Sequence, residues 1–197
     1  MVRRAGDDGV RRARGVLGRR RRVDRRLLRG QRFRARERGK QAVIDGVEVL
    51  PLRRFADERG WFMELRRESE LPAPTRQTNV SFSRQGVIRG LHYHHRGQND
   101  LFACLQGIAR VVVLDRESGE TFTIDIGDDN PVAVWIPGRH AHGFEALTDL
   151  LFCYHVTEEY DTADPDEREI AWDDSRVKHL WSTKSPILSS RDLDAAS

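Results

Sequence analysis

Residues 109–126 read Ala109-Arg110-Val111-Val112-Val113-Leu114-Asp115-Arg116-Glu117-Ser118-Gly119-Glu120-Thr121-Phe122-Thr123-Ile124-Asp125-Ile126. Two β-branched runs flank a charged segment that contains Ser-Gly, which is the pattern of two strands joined by a hairpin turn. The same texture extends in both directions. Short runs at 47–55, 61–66, 86–94, 133–137, 143–147 and 150–156 are strand candidates, and Asp57-Glu58-Arg59-Gly60 reads as a second hairpin turn. Many short strands at this spacing predict an all-β barrel or jelly roll. Helical periodicity is weak after residue 41, apart from one turn expected at 68–71. Beyond Asp161 the chain becomes polar, with Asp164-Pro165-Asp166, and Trp172 and Trp181 are expected to anchor a loop-rich tail to the barrel.

The charge divides the 197-residue chain into two parts. Residues 1–40 carry 17 basic residues against four acidic ones, a net of +13, which leaves 17 basic and 27 acidic residues over 41–197, a net of −10. The sequence therefore reads as a basic leader, 1–40, ahead of an acidic domain, 41–197. The leader is rich in Arg and Gly, with Phe33 as its only aromatic residue, so burial does not offset its ordering entropy and disorder is expected. Arg19 to Arg22 would interrupt the apolar centre of a secretory signal. Three readings remain: a nucleic-acid-binding arm, an organelle presequence, or upstream sequence read from a misplaced start. The last is preferred, and no specific nucleic-acid partner is expected. Met63 is the only methionine besides Met1, so a start near Val43 would need an alternative initiation codon.

No stretch approaches the ~18 apolar residues of a membrane helix, so an integral helical membrane protein is excluded. Cys104 and Cys153 are the only cysteines, and both sit inside apolar runs rather than at metal-ligand spacing. Two buried, reduced thiols and a cytoplasmic location are expected.

Five of the seven histidines cluster as His92/His94/His95 and His140/His142. Alternate residues of a strand share a face, so His92 pairs with His94 and His140 with His142, which suggests a polar cavity. The plain alternative is that surface strands tolerate histidine. Two such pairs on facing strands would also supply imidazoles to iron, copper or zinc. Metal-binding barrels usually add a carboxylate a few residues after the first pair. Here His94 is followed by His95-Arg96-Gly97-Gln98-Asn99, and no metal is expected.

Eight motifs occur in one order: Asp57-Glu58-Arg59-Gly60-Trp61-Phe62, Gln77-Thr78-Asn79-Val80-Ser81, Gly86-Val87-Ile88-Arg89-Gly90-Leu91-His92, Trp135-Ile136-Pro137, Ala141-His142-Gly143-Phe144, residues 154–160, Trp172-Asp173-Asp174 and Leu188-Ser189-Ser190-Arg191-Asp192. Over residues 43–192 the chain resembles the dTDP-4-dehydrorhamnose 3,5-epimerases. The resemblance implies a cupin-type jelly roll without metal or other cofactor, generally a homodimer that exchanges N-terminal strands. It also implies an isomerase acting on a nucleotide-linked 4-keto-6-deoxyhexose in deoxysugar biosynthesis.

A C4 ketone acidifies the hydrogens at C3 and C5, so a base removes one, an enolate forms, and an acid returns a proton to the opposite face. By resemblance His92 is the base, Asp192 is the carboxylate that orients it, and Tyr154 is the acid across the sugar. Arg59 and Arg89 are expected on the pyrophosphate or sugar. Glu64, Gln77 and Asn79 are expected at the nucleotide end, and His142 in a binding or electrostatic role.

One position departs from the pattern. The resemblance calls for a Lys seven residues before Gly107, where this chain has Asp100, and no Lys occurs between Lys40 and Lys178. His94, His95 or Arg96 is expected to compensate, with slower turnover or inversion at one carbon only, C3 before C5. Two rivals stay open: a metal-dependent cupin oxygenase or isomerase, and a catalytically silent cupin that binds a nucleotide sugar, which Asp100 keeps in view.

Overall fold

The structure is a computed structural model that describes residues 44–195. The expectations for the leader lie outside the described residues. The described residues form twelve strands: β1 (Glu48–Pro51), β2 (Arg54–Asp57), β3 (Gly60–Met63), β4 (Gln77–Ser83), β5 (Ile88–His94), β6 (Asp100–Gln106), β7 (Ile108–Leu114), β8 (Thr121–Gly127), β9 (Val132–Ile136), β10 (Ala141–Ala146), β11 (Leu150–Val156) and β12 (Glu167–Glu169). A 3₁₀ turn at Glu68–Glu70 lies where the single turn is expected, and one short helix, α1, spans Ser190–Asp194.

Two five-stranded antiparallel sheets, in the orders β1-β9-β6-β11-β4 and β12-β5-β10-β7-β8, make the jelly roll expected from the strand pattern. Strands β2 and β3 form a separate two-stranded sheet around the Asp57–Gly60 turn. The run 47–55 is thus two strands, broken after Pro51 where the Leu52 amide donates to the Pro131 carbonyl.

The core lies between the sheets, where Phe102, Val111, Val113, Phe122, Ile126, Val134, Ile136, Phe144 and Phe152 pack together. Both sheets are also covered on parts of their outer faces. Val112, Leu114, Ile88 and Leu91 pack outward against Val177 and Trp181 of the tail, and the Trp181 indole N–H donates to the Trp172 carbonyl at 2.7 Å. Leu101, Ala103 and Trp135 pack outward with Leu52, Met63, Leu65 and Leu71. Strands buried on two faces lose the polar alternation of a half-exposed strand. That is why Val111 to Leu114 is a continuous apolar run. Among the described residues no helix is long and apolar enough to cross a membrane.

Candidate active site

Two glycines bring the histidines together. Gly90 on β5 has φ +117°, and a Cβ there would stand 2.8 Å from the Gly143 Cα, while a Cβ on Gly143 would stand 2.4 Å from the Arg89 carbonyl oxygen. Only glycine lets the β5 and β10 backbones close this tightly. The register between them shifts between His142 and Phe144, and His142 pairs directly with His92. Their side chains open into a cavity of about 790 Å³ inside the barrel, a size suited to a small-molecule ligand.

His92 faces a carboxylate delivered by the tail. Nε2 of His92 stands 3.6 Å from Oδ1 of Asp192, and Asp192 is buried. Ser189 and Asp192 form a reciprocal capping box on α1, in which Oδ2 of Asp192 accepts from the Ser189 hydroxyl at 2.6 Å and the Ser189 oxygen accepts from the Asp192 amide. Burial pushes the Asp192 carboxyl up, but His92 and Ser189 outweigh it and hold the group below its ordinary value. An ionised carboxylate at this point is placed to orient the imidazole.

Tyr154, on β11, lines the same cavity with its ring edge-on to Phe102 at 6.1 Å. Burial, then the charges of Glu167 and Asp100, push its phenol up against the opposing pull of Arg89. The phenol therefore keeps its proton through the neutral range and can donate it.

Asp100 also points inward. It opens β6, is buried, and its Oδ2 lies 2.6 Å from Nε2 of His142 and 3.4 Å from Nε2 of His94. Gln98 donates to Oδ1 of Asp100 at 3.0 Å. Burial pushes the Asp100 carboxyl up, but His142 and His94 more than offset this and hold it ionised. For His142, burial pushes downward and is outweighed by the Asp100 charge and hydrogen bond, so its pKa rises. The expectation that no carboxylate follows His94 at ligand distance is corrected here: the turn after His94 brings Asp100, six residues on, back beside it. Of the three side chains expected to compensate for Asp100, only His94 meets it. Arg96 pairs with Asp164, and His95 with Asp166.

Gln77 and Asn79 line the cavity from β4, where the Gln77 amide donates to Oδ1 of Asn79 at 2.8 Å. Arg89 lines it from β5, with its Nε donating to the Ser83 hydroxyl at 3.0 Å. His140 does not share the cavity with His142, contrary to the paired reading. It precedes β10, is buried, and its Nε2 meets the Asp45 carbonyl at 2.9 Å. Arg59 and Glu64 stand outside the cavity of this chain. Arg59 sits at the β2–β3 turn, 84% exposed and folded onto Asp57 at 2.6 Å, while Glu64 pairs with Arg67 at 2.8 Å.

The sequence pattern of the dTDP-4-dehydrorhamnose 3,5-epimerase family matches residues 41–197. The chain belongs to that family. It is 33% identical over 165 residues to the dTDP-4-dehydrorhamnose 3,5-epimerase of Shigella flexneri, covering 77% of this chain and 90% of that protein. It is 39% identical over 150 residues to the spore coat polysaccharide biosynthesis protein SpsL of Bacillus subtilis, covering 72% of this chain and 99% of that protein. The crystal structure of NovW, a 4-keto-6-deoxy sugar epimerase from Streptomyces spheroides, superposes with a TM-score of 0.70 at 30% identity, covering 77% of this chain and 82% of that one.

The cavity is rich in carboxylates. Its lining includes Asp100, Glu158, Glu159, Asp161, Asp164, Asp166, Glu167 and Asp192, but only three arginines. Arg96 is engaged by Asp164, and Arg191 by Glu167 and Glu169, whereas Arg89 is bonded to neutral acceptors. From the sequence, residues 154–160 stand among the family motifs, but 161–167 read only as the start of a polar tail, and neither stretch is assigned to the site beyond Tyr154.

Proposed function

We propose that this epimerase acts on a thymidine-diphosphate-linked 4-keto-6-deoxyhexose, inverting C3, C5 or both through an enolate. His92 removes the proton, Asp192 holds the imidazole and steadies the imidazolium that results, and Tyr154 returns a proton from the other side of the sugar. The observation that carries this reading is that a carboxylate-backed imidazole and a protonated phenol open on one cavity. Arg89 and His142 hold the sugar or pyrophosphate, and Gln77 and Asn79 meet the nucleotide. The relatives' names support the carrier and the sugar class.

The working form is a homodimer. Trp61 and Phe62 of the β2–β3 hairpin are 52% and 63% exposed, and Val80 and Phe82 of the edge strand β4 are 58% and 60% exposed. Outward-facing apolar residues on an edge strand and a free hairpin suit a second copy of the chain. Such a dimer delivers Arg59 and Glu64 of one copy to the cavity of the other, adding a cation where a dianionic pyrophosphate meets many carboxylates. We assign the reaction to the cytoplasm, where the free, buried Cys104 and Cys153 stay reduced.

The test is incubation with dTDP-4-keto-6-deoxyglucose in deuterated water, with C3 and C5 followed by NMR. Solvent deuterium at either carbon is expected, and the product's stereochemistry tells one-centre from two-centre inversion. No incorporation at both carbons would overturn the reading.

A further inference from the structure

His94, Asp100 and His142 each present one ligating atom, and these atoms all lie within 4.8 Å of one another. All three residues are buried yet line the wall of the cavity, so an ion held there is shielded from bulk water and open to a ligand on one side. We propose that they bind one divalent transition-metal ion of the zinc, cobalt, nickel or iron(II) class, through Nε2 of His94, Oδ2 of Asp100 and Nε2 of His142.

The hydrogen bonding prepares both imidazoles as ligands. Nδ1 of His142 faces the His140 carbonyl at 2.9 Å, an acceptor only, so Nδ1 carries a hydrogen and Nε2 is the nitrogen turned to Asp100, where the proton shared with Oδ2 at 2.6 Å is the one a metal ion displaces. Nε2 of His94 accepts from the Gln98 amide at 3.1 Å, so this nitrogen is unprotonated and its lone pair becomes available to an ion once Gln98 turns away, while its Nδ1 faces Oδ2 of Asp166 at 3.9 Å. That nitrogen and that oxygen are both buried without a hydrogen-bond partner. An imidazole whose far nitrogen is turned to a carbonyl or a carboxylate is the usual outer support of a metal-bound histidine.

Three ligating atoms thus converge. A single proton satisfies one pair, whereas a metal ion satisfies all three. Bonds of about 2.0–2.2 Å to nitrogen and oxygen put neighbouring ligand atoms roughly 3 Å apart. The distances from Oδ2 of Asp100, 2.6 Å to His142 and 3.4 Å to His94, bracket that value. Two imidazoles and one carboxylate are the donor set of borderline divalent ions, and three protein ligands leave positions open toward the cavity.

The experiment uses the full chain, dialysed against chelator and titrated with Co²⁺ alone. One equivalent per chain is expected by calorimetry, with visible d–d absorption and two paramagnetically shifted, exchangeable imidazole N–H signals in the wild-type protein. Asp100→Asn and His94→Gln should each weaken binding by about 100-fold or more, and Asp166→Asn by about 10-fold. His179→Gln, on the exposed tail, should leave binding unchanged. Residues 1–43 hold no His or Cys, so the leader offers no competing imidazole or thiolate. Absence of one-to-one uptake at millimolar Co²⁺, or unchanged binding in either Asp100→Asn or His94→Gln, would overturn the site. If those variants do not fold, absence of the shifted N–H signals from the wild type does so. Metal uptake is read without substrate, so a chain that binds Co²⁺ but fails to exchange deuterium loses only the epimerase proposal.

Discussion

Oδ1 of Asp192 faces Nε2 of His92 at 3.6 Å because Oδ2 of the same carboxylate is fixed by Ser189. One oxygen anchors the carboxylate to the first turn of α1, and the other is left for the imidazole. If His92 is the base, His92→Ala should abolish deuterium exchange at C3 and C5, and Asp192→Asn should slow it on the order of 10²-fold. Exchange in His92→Ala at the wild-type rate would sink the mechanism.

The same carboxylate predicts a pH dependence of stability. The Asp192 pKa is lowered on folding, so its contribution is full above the unfolded value near ~3.9 and is lost as the pH falls through the folded value. Urea unfolding of wild type and Asp192→Asn should therefore differ most above about pH 4 and converge below it. A gap that widens on acidification would contradict the assignment.

Tyr154→Phe separates the two proton transfers. With the phenol gone, His92 still removes a proton and can return deuterium to the same face. Washout should persist while inversion falls by about 10²- to 10⁴-fold. Equal loss of washout and inversion would mean that Tyr154 positions the sugar and does not donate.

Much of this site was legible in the sequence, and the gaps have physical causes. The runs carrying His92 and Tyr154 read as strands, and the motif order singled out His92, His142 and Tyr154, which the structure places on one cavity. Strand β6 escaped because Leu101 to Cys104 is buried on both faces and so lacks a period-two signal. Strand β4 escaped for a different reason: Val80 and Phe82 are its only strongly apolar residues, and they face out while the polar Gln77, Asn79 and Ser81 turn inward. With neither strand assigned, Asp100 could not be seen to return beside His94. The helix that delivers Asp192 spans five residues, but its signal was present in Ser189-Ser190-Arg191-Asp192, the spacing of a capping box.

Gly143→Ala tests the backbone contact under the histidines. Its Cβ would meet the Arg89 carbonyl at 2.4 Å, and the neighbouring atoms are β5 backbone that cannot swing aside. Strands β5 and β10 should part, lowering stability by about 1–3 kcal/mol and misaligning His92 with His142. Thermal unfolding and the exchange rate should fall together. An unchanged melting temperature would show that the sheet absorbs the methyl group.

The final prediction concerns Arg59. In one chain it lies on the surface against Asp57, and among the arginines lining the cavity only Arg89 is bonded to neutral acceptors. Cavity carboxylates repel a pyrophosphate, and one arginine does not balance them, so substrate binding should need a cation from a second copy. Arg59→Ala should then raise KM more than it lowers kcat, because the guanidinium holds phosphate in the ground state and transition state alike. Phe82→Asp, which charges the exposed face of β4, should give monomers by sedimentation with the same weakened binding. Mixed dimers of Arg59→Ala with His92→Ala chains should regain activity, since one of their two cavities combines an intact Arg59 with an intact His92. No recovery in such mixtures, when exchange of subunits has been verified, would confine Arg59 to its own chain.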